Sequence, residues 1–315
     1  MSTTTSATAP ATGESIARAQ NRTETGGRRR PSSRHRSTPL TIAMLAALAY
    51  FLLPLLWLLI ASTKSTQDLF NSFGLWFSRS PRLLTNIRDT FTQDGGVFAR
   101  WLLNTAVYAI VSAVGAALLA AAGGYGFAKF RFRGDRAAFN LVLGAIMVPT
   151  TALAIPTYLL FAKAGLVNTP WAIILPSLVN PFGLYLMRIY AADAVPDSLL
   201  EAARIDGAGE ARIFCRIALR LLAPGLVTVL LFTLVATWNN YFLPLIMLND
   251  PKLYPITVGL SSWAAQAQNG GAGASSDMLA LVVTGSLISI IPLVAAFLLL
   301  QRYWQSGLAN GSVKQ

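Results

Sequence analysis

The sequence predicts an all-α polytopic membrane protein with six transmembrane helices and both termini in the cytoplasm. Three observations carry that prediction. Hydrophobic residues make up 54% of the 315 positions and charged residues only 12%. Soluble domains carry about a quarter charged residues, so lipid rather than water is the expected main solvent. Apolar stretches of spanning or near-spanning length recur six times along the chain. The net charge of +12 is gathered in an N-terminal tail and in short loops beside the apolar stretches, the pattern that orients membrane proteins.

The same distribution narrows the function classes. A basic chain could bind nucleic acid, but these cations flank apolar spans, so no nucleic-acid partner is expected. The single cysteine, Cys215, excludes an internal disulfide, and stability must come from helix packing. The single histidine, His35, lies in an Arg-rich tail, and no metal cluster can be assembled.

Residues 1–37 are Ser, Thr, Ala, Gly and Arg with almost no large apolar group. Such a segment buries too little surface to offset chain entropy and is expected to be a disordered basic cytoplasmic tail. Arg28-Arg29-Arg30, Arg34 and Arg36 precede the first apolar run, Leu40 to Ala61. A signal peptide, of twin-arginine type, competes here, but its apolar region would be about 7–15 residues with a small-residue cleavage site. This run is long enough to cross a bilayer of roughly 30 Å, so residues 38–61 are expected to form an uncleaved anchor helix. Residues 62–100 read as an extracytoplasmic loop with scattered aromatics, Phe70, Phe73, Trp76, Phe77, Phe91 and Phe98. It is either an interfacial connection or a docking surface outside the cell.

Residues 101–301 are expected to form a core of five helices. Trp101 to Ala128 is the second span, crowded with Ala116, Ala117, Ala120, Ala121, Ala122, Gly123, Gly124 and Gly126; small residues let backbones approach closely in lipid. It ends at Lys129, Arg131, Arg133 and Arg136, each costing about 2.5–3.5 kcal/mol at a span's centre, so this loop stays in water. Phe139 to Ala162 is the third span, kinked by Pro149 and Pro156. Trp171 to Met187, with Pro176 and Pro181, is the fourth. Leu221 to Leu248 is the fifth, carrying Pro224, Pro244 and the cluster Trp238-Asn239-Asn240-Tyr241. Asn249 to Asp277 reads as a loop with a Gly270-Gly271-Ala272-Gly273 tip, Met278 to Leu300 as the sixth span, and residues 302–315 as a cytoplasmic C-terminal tail. Counting crossings puts 129–137, 188–220 and the C-terminus inside, where most of the arginine lies. A missed or invented span would reverse that parity.

The loop 188–220 mixes both charge signs between two spans. Pro196 and Asp197 suit a helix start, and Gly207 suits a helix stop. Leu200, Ala203 and Gly207 fall on one side, Ala202 and Ala203 keep the surface slim, and Glu201 and Asp206 offer negative charge. A second helix, Glu210 to Leu219, carries Ile213, Phe214 and Ile217 on one side and Arg212 and Arg216 elsewhere, with Arg220 just beyond it. The residues alone leave two readings open, a solvated hairpin at a lipid surface or a grip for a partner protein. A helix-turn-helix DNA reader is a poorer reading, because both ends are tethered to spans.

The run Glu201-Ala202-Ala203, then Gly207, then Ile217-Ala218-Leu219 resembles the glutamate-alanine-alanine loop of permease subunits of binding-protein-dependent ABC importers. The fuller string Glu201 to Ala208 is similar to the carbohydrate-type subclass that contains the maltose transporter permeases. The likeness extends from about Thr38 onward, through Trp101 to Thr105, Tyr125 to Gly134, Trp238 to Pro244 and the tail Gln301 to Lys314. One departure stands out. Arg220 occupies the place where the family has proline, and the next proline is Pro224.

The resemblance implies a type I ABC importer-like permease fold in a bacterial cell membrane. It implies that Glu201, Ala202, Ala203, Asp206 and Gly207 dock on a cytoplasmic ATPase dimer, whose closure rocks the spans. A second homologous permease and an extracytoplasmic solute-binding protein are the further partners. No cofactor is expected on this chain; ATP and Mg belong to the ATPase, and no glycine-rich phosphate loop occurs in this sequence. The implied cargo is a sugar or oligosaccharide, with a polyol or glycerol phosphate as the alternative. An ion-coupled secondary carrier is disfavoured, because the spans hold essentially no ionisable group, and a membrane-embedded enzyme more so. Asn180, Trp238, Asn239, Asn240 and Tyr241 could line a pathway and hydrogen-bond or stack on a sugar, or they could join helices.

Overall fold

The computed structural model describes residues 38–270 and 277–311, with side chains as far as Gln301. The N-terminal tail with its arginines and His35, the Gly271-Ala272-Gly273 tip and residues 312–315 lie outside the described residues. Every regular element among the described residues is helical.

The chain falls into two compact units, divided between Leu52 and Leu53. The described part of the first is the start of α1 (Thr38–Ala61), apolar throughout and exposed at every position to Leu52, as expected of a helix whose solvent is lipid. The second unit begins with the end of α1, where Ile60 and Ala61 are buried. The connection that follows is folded: α2 (Thr66–Asn71) is capped by Ser65, and α3 (Leu83–Thr92) packs against the last helix. The Asn86 side chain donates to the carbonyls of Ser62 and Lys64, both at 2.9 Å. The Asp277 carboxylate accepts from Thr66 N–H and pairs with Arg82, both at 3.2 Å. The segment is thus a tied cap, held by side chains far apart in sequence.

The 33-residue α4 (Val97–Lys129) organises the unit and packs most extensively on α8 (Pro181–Ala194) and α12 (Ala223–Trp238). Its small residues explain why. Ala109, Ala113, Ala116, Ala117 and Ala121 are fully buried. A β-carbon at Gly124 would sit 2.6 Å from both the Arg188 backbone nitrogen and the Met187 β-carbon. At the other end of α4, the Trp101 ring occupies the space a side chain at Gly259 would need; Gly259 lies in α14 (Ile256–Asn269).

Proline divides much of the rest. The stretch expected to be a third span is two helices, α5 (Asp135–Ile146) and α6 (Ala154–Lys163), separated at Pro149. The fourth is α7 (Trp171–Leu178) and α8, broken at Val179 and Asn180, with Pro181 opening α8. The loop 188–220 forms α9 (Asp197–Ile205), α10 (Glu210–Ile213), a π turn Phe214–Ala218 and α11 (Leu219–Leu221). The chain then turns by 79° into α12. The fifth expected span ends in a separate α13 (Phe242–Met247). The last helix, α15 (Met278–Gly311), continues past Leu300 through much of the expected tail, since nothing between Gln301 and Ser306 breaks a helix. Among the described residues, four helical segments are long and apolar enough to cross a membrane, or five if the bent pair 210–221 and 223–238 counts as one. The shortfall from six lies in the third expected span, which breaks at Pro149, and in the fifth, which bends ahead of Pro224, whereas Pro54, Pro176 and Pro292 sit inside continuous helices.

Two substitutions separate packing from helix propensity. Gly124→Ala is expected to destabilise by about 1–3 kcal/mol through overpacking. Gly126→Ala, where the new methyl meets nothing within 4 Å, is expected to be neutral or stabilising by up to about 1 kcal/mol. Thermal unfolding of the two variants in one detergent checks both.

Candidate functional site

The hairpin 197–221 is built from its stops inward. Asp206 caps α9 and Gly207 follows in the left-handed region, φ 78°. Gly207 N–H donates to the Arg204 carbonyl and Ala208 N–H to that of Ala203, both at 3.0 Å, the paired hydrogen bonds of a Schellman stop. A side chain at 207 would strain that backbone. Leu200 and Ala203 point inward, joining Ile213 with Ala117, Ala121 and Tyr125 of α4, Met187 and Ala191 of α8, and Val229 of α12 in one buried cluster. The opposite face carries Glu201, Ala202 and Asp206, all exposed. It also carries two residues the sequence reading passed over, Leu199 at 40% and Ile205 at 86% exposure. Their three-residue spacing with Ala202 was the available signal. Leu199, Ala202 and Ile205 form a small apolar ridge with acids at its flank.

Two ion pairs hold the hairpin. Arg204 pairs with Glu210 across the turn, Nε–Oε1 2.7 Å, and lowers the Glu210 carboxyl from its ordinary value chiefly through that hydrogen bond. Lys129, at the end of α4, reaches Asp197 at the start of α9, Nζ–Oδ1 2.8 Å, and lowers its carboxyl in the same way. In the sequence Lys129 reads only as part of a topology signal, because its partner lies 68 positions away. Arg220 is exposed on the helix that continues to Leu221. Pro224 stands in the first turn of α12, after the 79° bend, where its missing N–H costs no hydrogen bond.

The polar residues considered for a pathway lie beside breaks next to α12. Asn180 caps α8, accepting from Gly183 N–H at 2.7 Å, and its amide donates to Thr233 Oγ1 at 2.9 Å. Trp238 is buried, with its indole N–H on the Ser289 carbonyl at 3.2 Å. Asn239 is exposed and bonds its own helix at Val235. The Asn240 carbonyl accepts from Thr257, and Tyr241 Oη meets Ser261 Oγ at 3.1 Å. Asn180 is therefore joined to α12 at Thr233, roughly 7 Å along the helix from Trp238, and not to the Trp238–Tyr241 cluster itself. Of the cluster, Asn239 and Tyr241 retain exposed side chains.

Residues 113–309 match the family described as the binding-protein-dependent transport system inner membrane component. The arabinooligosaccharides transport system permease protein AraQ of Halalkalibacterium halodurans is 35% identical over 273 residues, covering 86% of this chain and 94% of that protein. AraQ of Bacillus subtilis is 32% identical over 276 residues, covering 87% and 95%. The lactose transport system permease protein LacG of Rhizobium radiobacter is 30% identical over 276 residues, covering 87% and 94%. A chain from the crystal structure of a bacterial ABC transporter involved in the import of the acidic polysaccharide alginate superposes with a TM-score of 0.72 at 23% identity, covering 87% of this chain and 99% of that one, and shares the fold. The chain belongs to the family of inner membrane components of binding-protein-dependent transport systems. It is a multi-pass transport subunit and not an enzyme, ATP hydrolysis residing on a separate subunit of such systems.

Both carboxylate shifts are downward, so the two pairs stabilise the folded hairpin above the ordinary carboxylate range. That contribution is lost as pH falls through the depressed folded values. Asp197→Asn and Glu210→Gln are expected to raise hydrogen exchange across residues 197–221 at neutral pH. The native hairpin should reach the same level only below about pH 4, as read by mass spectrometry.

Proposed function

We propose that this chain forms half of the translocation pathway of an ATP-driven importer for a sugar or oligosaccharide. It works beside a second, homologous permease, receives solute from an extracytoplasmic binding protein and is driven by a cytoplasmic ATPase dimer through the hairpin. The observation that carries this reading is the construction of α9. Its inner face, Leu200 and Ala203, is continuous with the cluster that packs α4, α8 and α12. Its outer face, Leu199, Glu201, Ala202, Ile205 and Asp206, is free of contacts that would bury it. A body gripped on the outer face therefore pulls on the spans through apolar packing, which resists shear far better than solvated ion pairs. The sugar assignment is supported by relatives whose names specify arabinooligosaccharides, lactose and melibiose, raffinose or stachyose.

The proposed topology has six crossings with both ends in the cytoplasm, α5 and α6 together making the third around Pro149. It is supported by the arginines of 129–137 and 188–220, which then share the cytoplasmic side. Cys215, exposed on the hairpin, reports on it. A membrane-impermeant maleimide is expected to leave intact cells unlabelled and to label inside-out vesicles; labelling of intact cells would reverse the topology.

Coupling is tested by co-purification with the ATPase and by ATP-dependent uptake of arabinooligosaccharides into proteoliposomes. Glu201→Arg, Ile205→Asp and Gly207→Pro are each expected to weaken the complex at least about tenfold and to abolish uptake. Arg216→Gln, on the second helix of the hairpin, is expected to leave both intact. Full uptake by all three variants would refute the coupling role.

A further inference from the structure

A recess of about 380 Å³ lies near the hairpin end of the unit, lined by Phe127 of α4, Asp135, Arg136, Phe139, Asn140 and Leu143 of α5, and Arg188 of α8. A second recess of about 260 Å³ shares Phe127 and Arg188 with it. Neither the coupling role of α9 nor the breaks beside α12 involve these residues.

Arg188 is the unusual member. It is half-buried, and among the described residues its guanidinium makes no hydrogen bond and no ion pair. Its contact is the face of Phe139, whose ring centroid lies 3.8 Å from the guanidinium carbon. Phe139 is itself buried and held between Tyr185, stacked at 6.2 Å, and Phe127 at 5.6 Å. Stacking fixes the plane of the guanidinium and leaves its N–H donors unspent. A partly desolvated cation with a fixed orientation and empty donors is matched by a bidentate oxyanion. Arg136 adds a second cation at the same recess, and Asn140 a neutral donor; neither side chain has a protein partner among the described residues. Asp135, the one acid present, already accepts from the Arg136 backbone N–H. The elements forming the recess also carry apolar groups with nothing packed over them, Leu141 at 76% and Ile189 at 51% exposure. A carboxylate in free solution has no use for those neighbours, whereas a headgroup attached to acyl chains does.

We propose that this recess is a phosphate-binding site that takes the headgroup phosphate of a membrane phospholipid, with Arg188 as its bidentate anchor and Arg136 and Asn140 as flanking donors. Lipid held there bridges α5 to α8, directly behind the Gly124 crossing of α4 with α8.

The full chain, delipidated in detergent, is titrated with short-chain phosphatidylglycerol and separately with inorganic phosphate, bound molecules being counted by native mass spectrometry. Wild type is expected to take up one tightly bound lipid per chain, displaced by inorganic phosphate only at large excess. Arg188→Gln is expected to weaken binding about tenfold or more, and Arg136→Gln, an exposed side chain whose loss leaves the core untouched, several-fold. Arg212→Gln, an exposed cation outside the recess, is expected to change nothing. Tight binding of inorganic phosphate alone, lost in Arg188→Gln, would support the site and assign it to the free ion. Equal loss in Arg212→Gln, unchanged binding in both recess variants, or no binding of either probe would overturn the proposal.

Discussion

The structure depends on how closely other helices can approach α4. In lipid there is no hydrophobic drive to bring one helix against another, so association rests on dispersion between surfaces that fit. The alanines from Ala109 to Ala121 and the missing β-carbon at Gly124 supply that fit. With α8 and α12 seated on this stripe, the hairpin between them has a fixed base. Leu200, Ala203 and Ile213 then complete a cluster that α4, α8 and α12 have already begun. The hairpin and the helices it joins share one apolar core.

Both ends of the unit are packed on apolar clusters, and the end away from the hairpin carries polar ties as well. Away from the hairpin, polar side chains tie segments distant in sequence. Asn168 accepts from the N–H groups of Asn249 and Asp250, both at 2.9 Å, and Thr105 accepts from Ile256 N–H at 2.7 Å. Trp101 and Tyr108 donate to the carbonyls of Pro251 and Leu253 at 2.8 and 3.0 Å. These bonds secure irregular backbone that would otherwise be unsatisfied. At the hairpin end, the exposed Arg204–Glu210 pair adds only modest stabilisation to the apolar packing, while Lys129, its side chain 6% exposed, ties the end of α4 to the exposed Asp197.

Breaks in the helices concentrate next to α12. Freed backbone groups at membrane depth must find partners, and Asn180 shows how this is done, capping α8 while donating to Thr233. The same residue reads in the sequence as a pathway candidate, because a polar group in an apolar span signals either function or repair, and composition does not distinguish them. Trp238 carries the same ambiguity; in the fold it is buried against α15 with its indole N–H satisfied, while Asn239 and Tyr241 keep exposed surfaces.

The sequence by itself determined the solvent, the helical class, the placement of α1, α4 and α15, and the start and stop of α9. Each of these depends on local properties: apolar run length, the restricted φ of Pro196, the left-handed tolerance of Gly207. The family resemblance carried by Glu201 to Ala208 was equally legible. Pro149 and the helical spacing of α9 signalled a kink and an inner face, but tertiary structure alone decided that the kink is a full break into two helices, that the chain turns 79° after Arg220, and that the face of Leu200 and Ala203 is buried on α4, α8 and α12. It alone paired Lys129 with Asp197 and laid Arg188 on Phe139. Those outcomes depend on which surfaces meet across many residues of chain, and distance in space is not written in local composition.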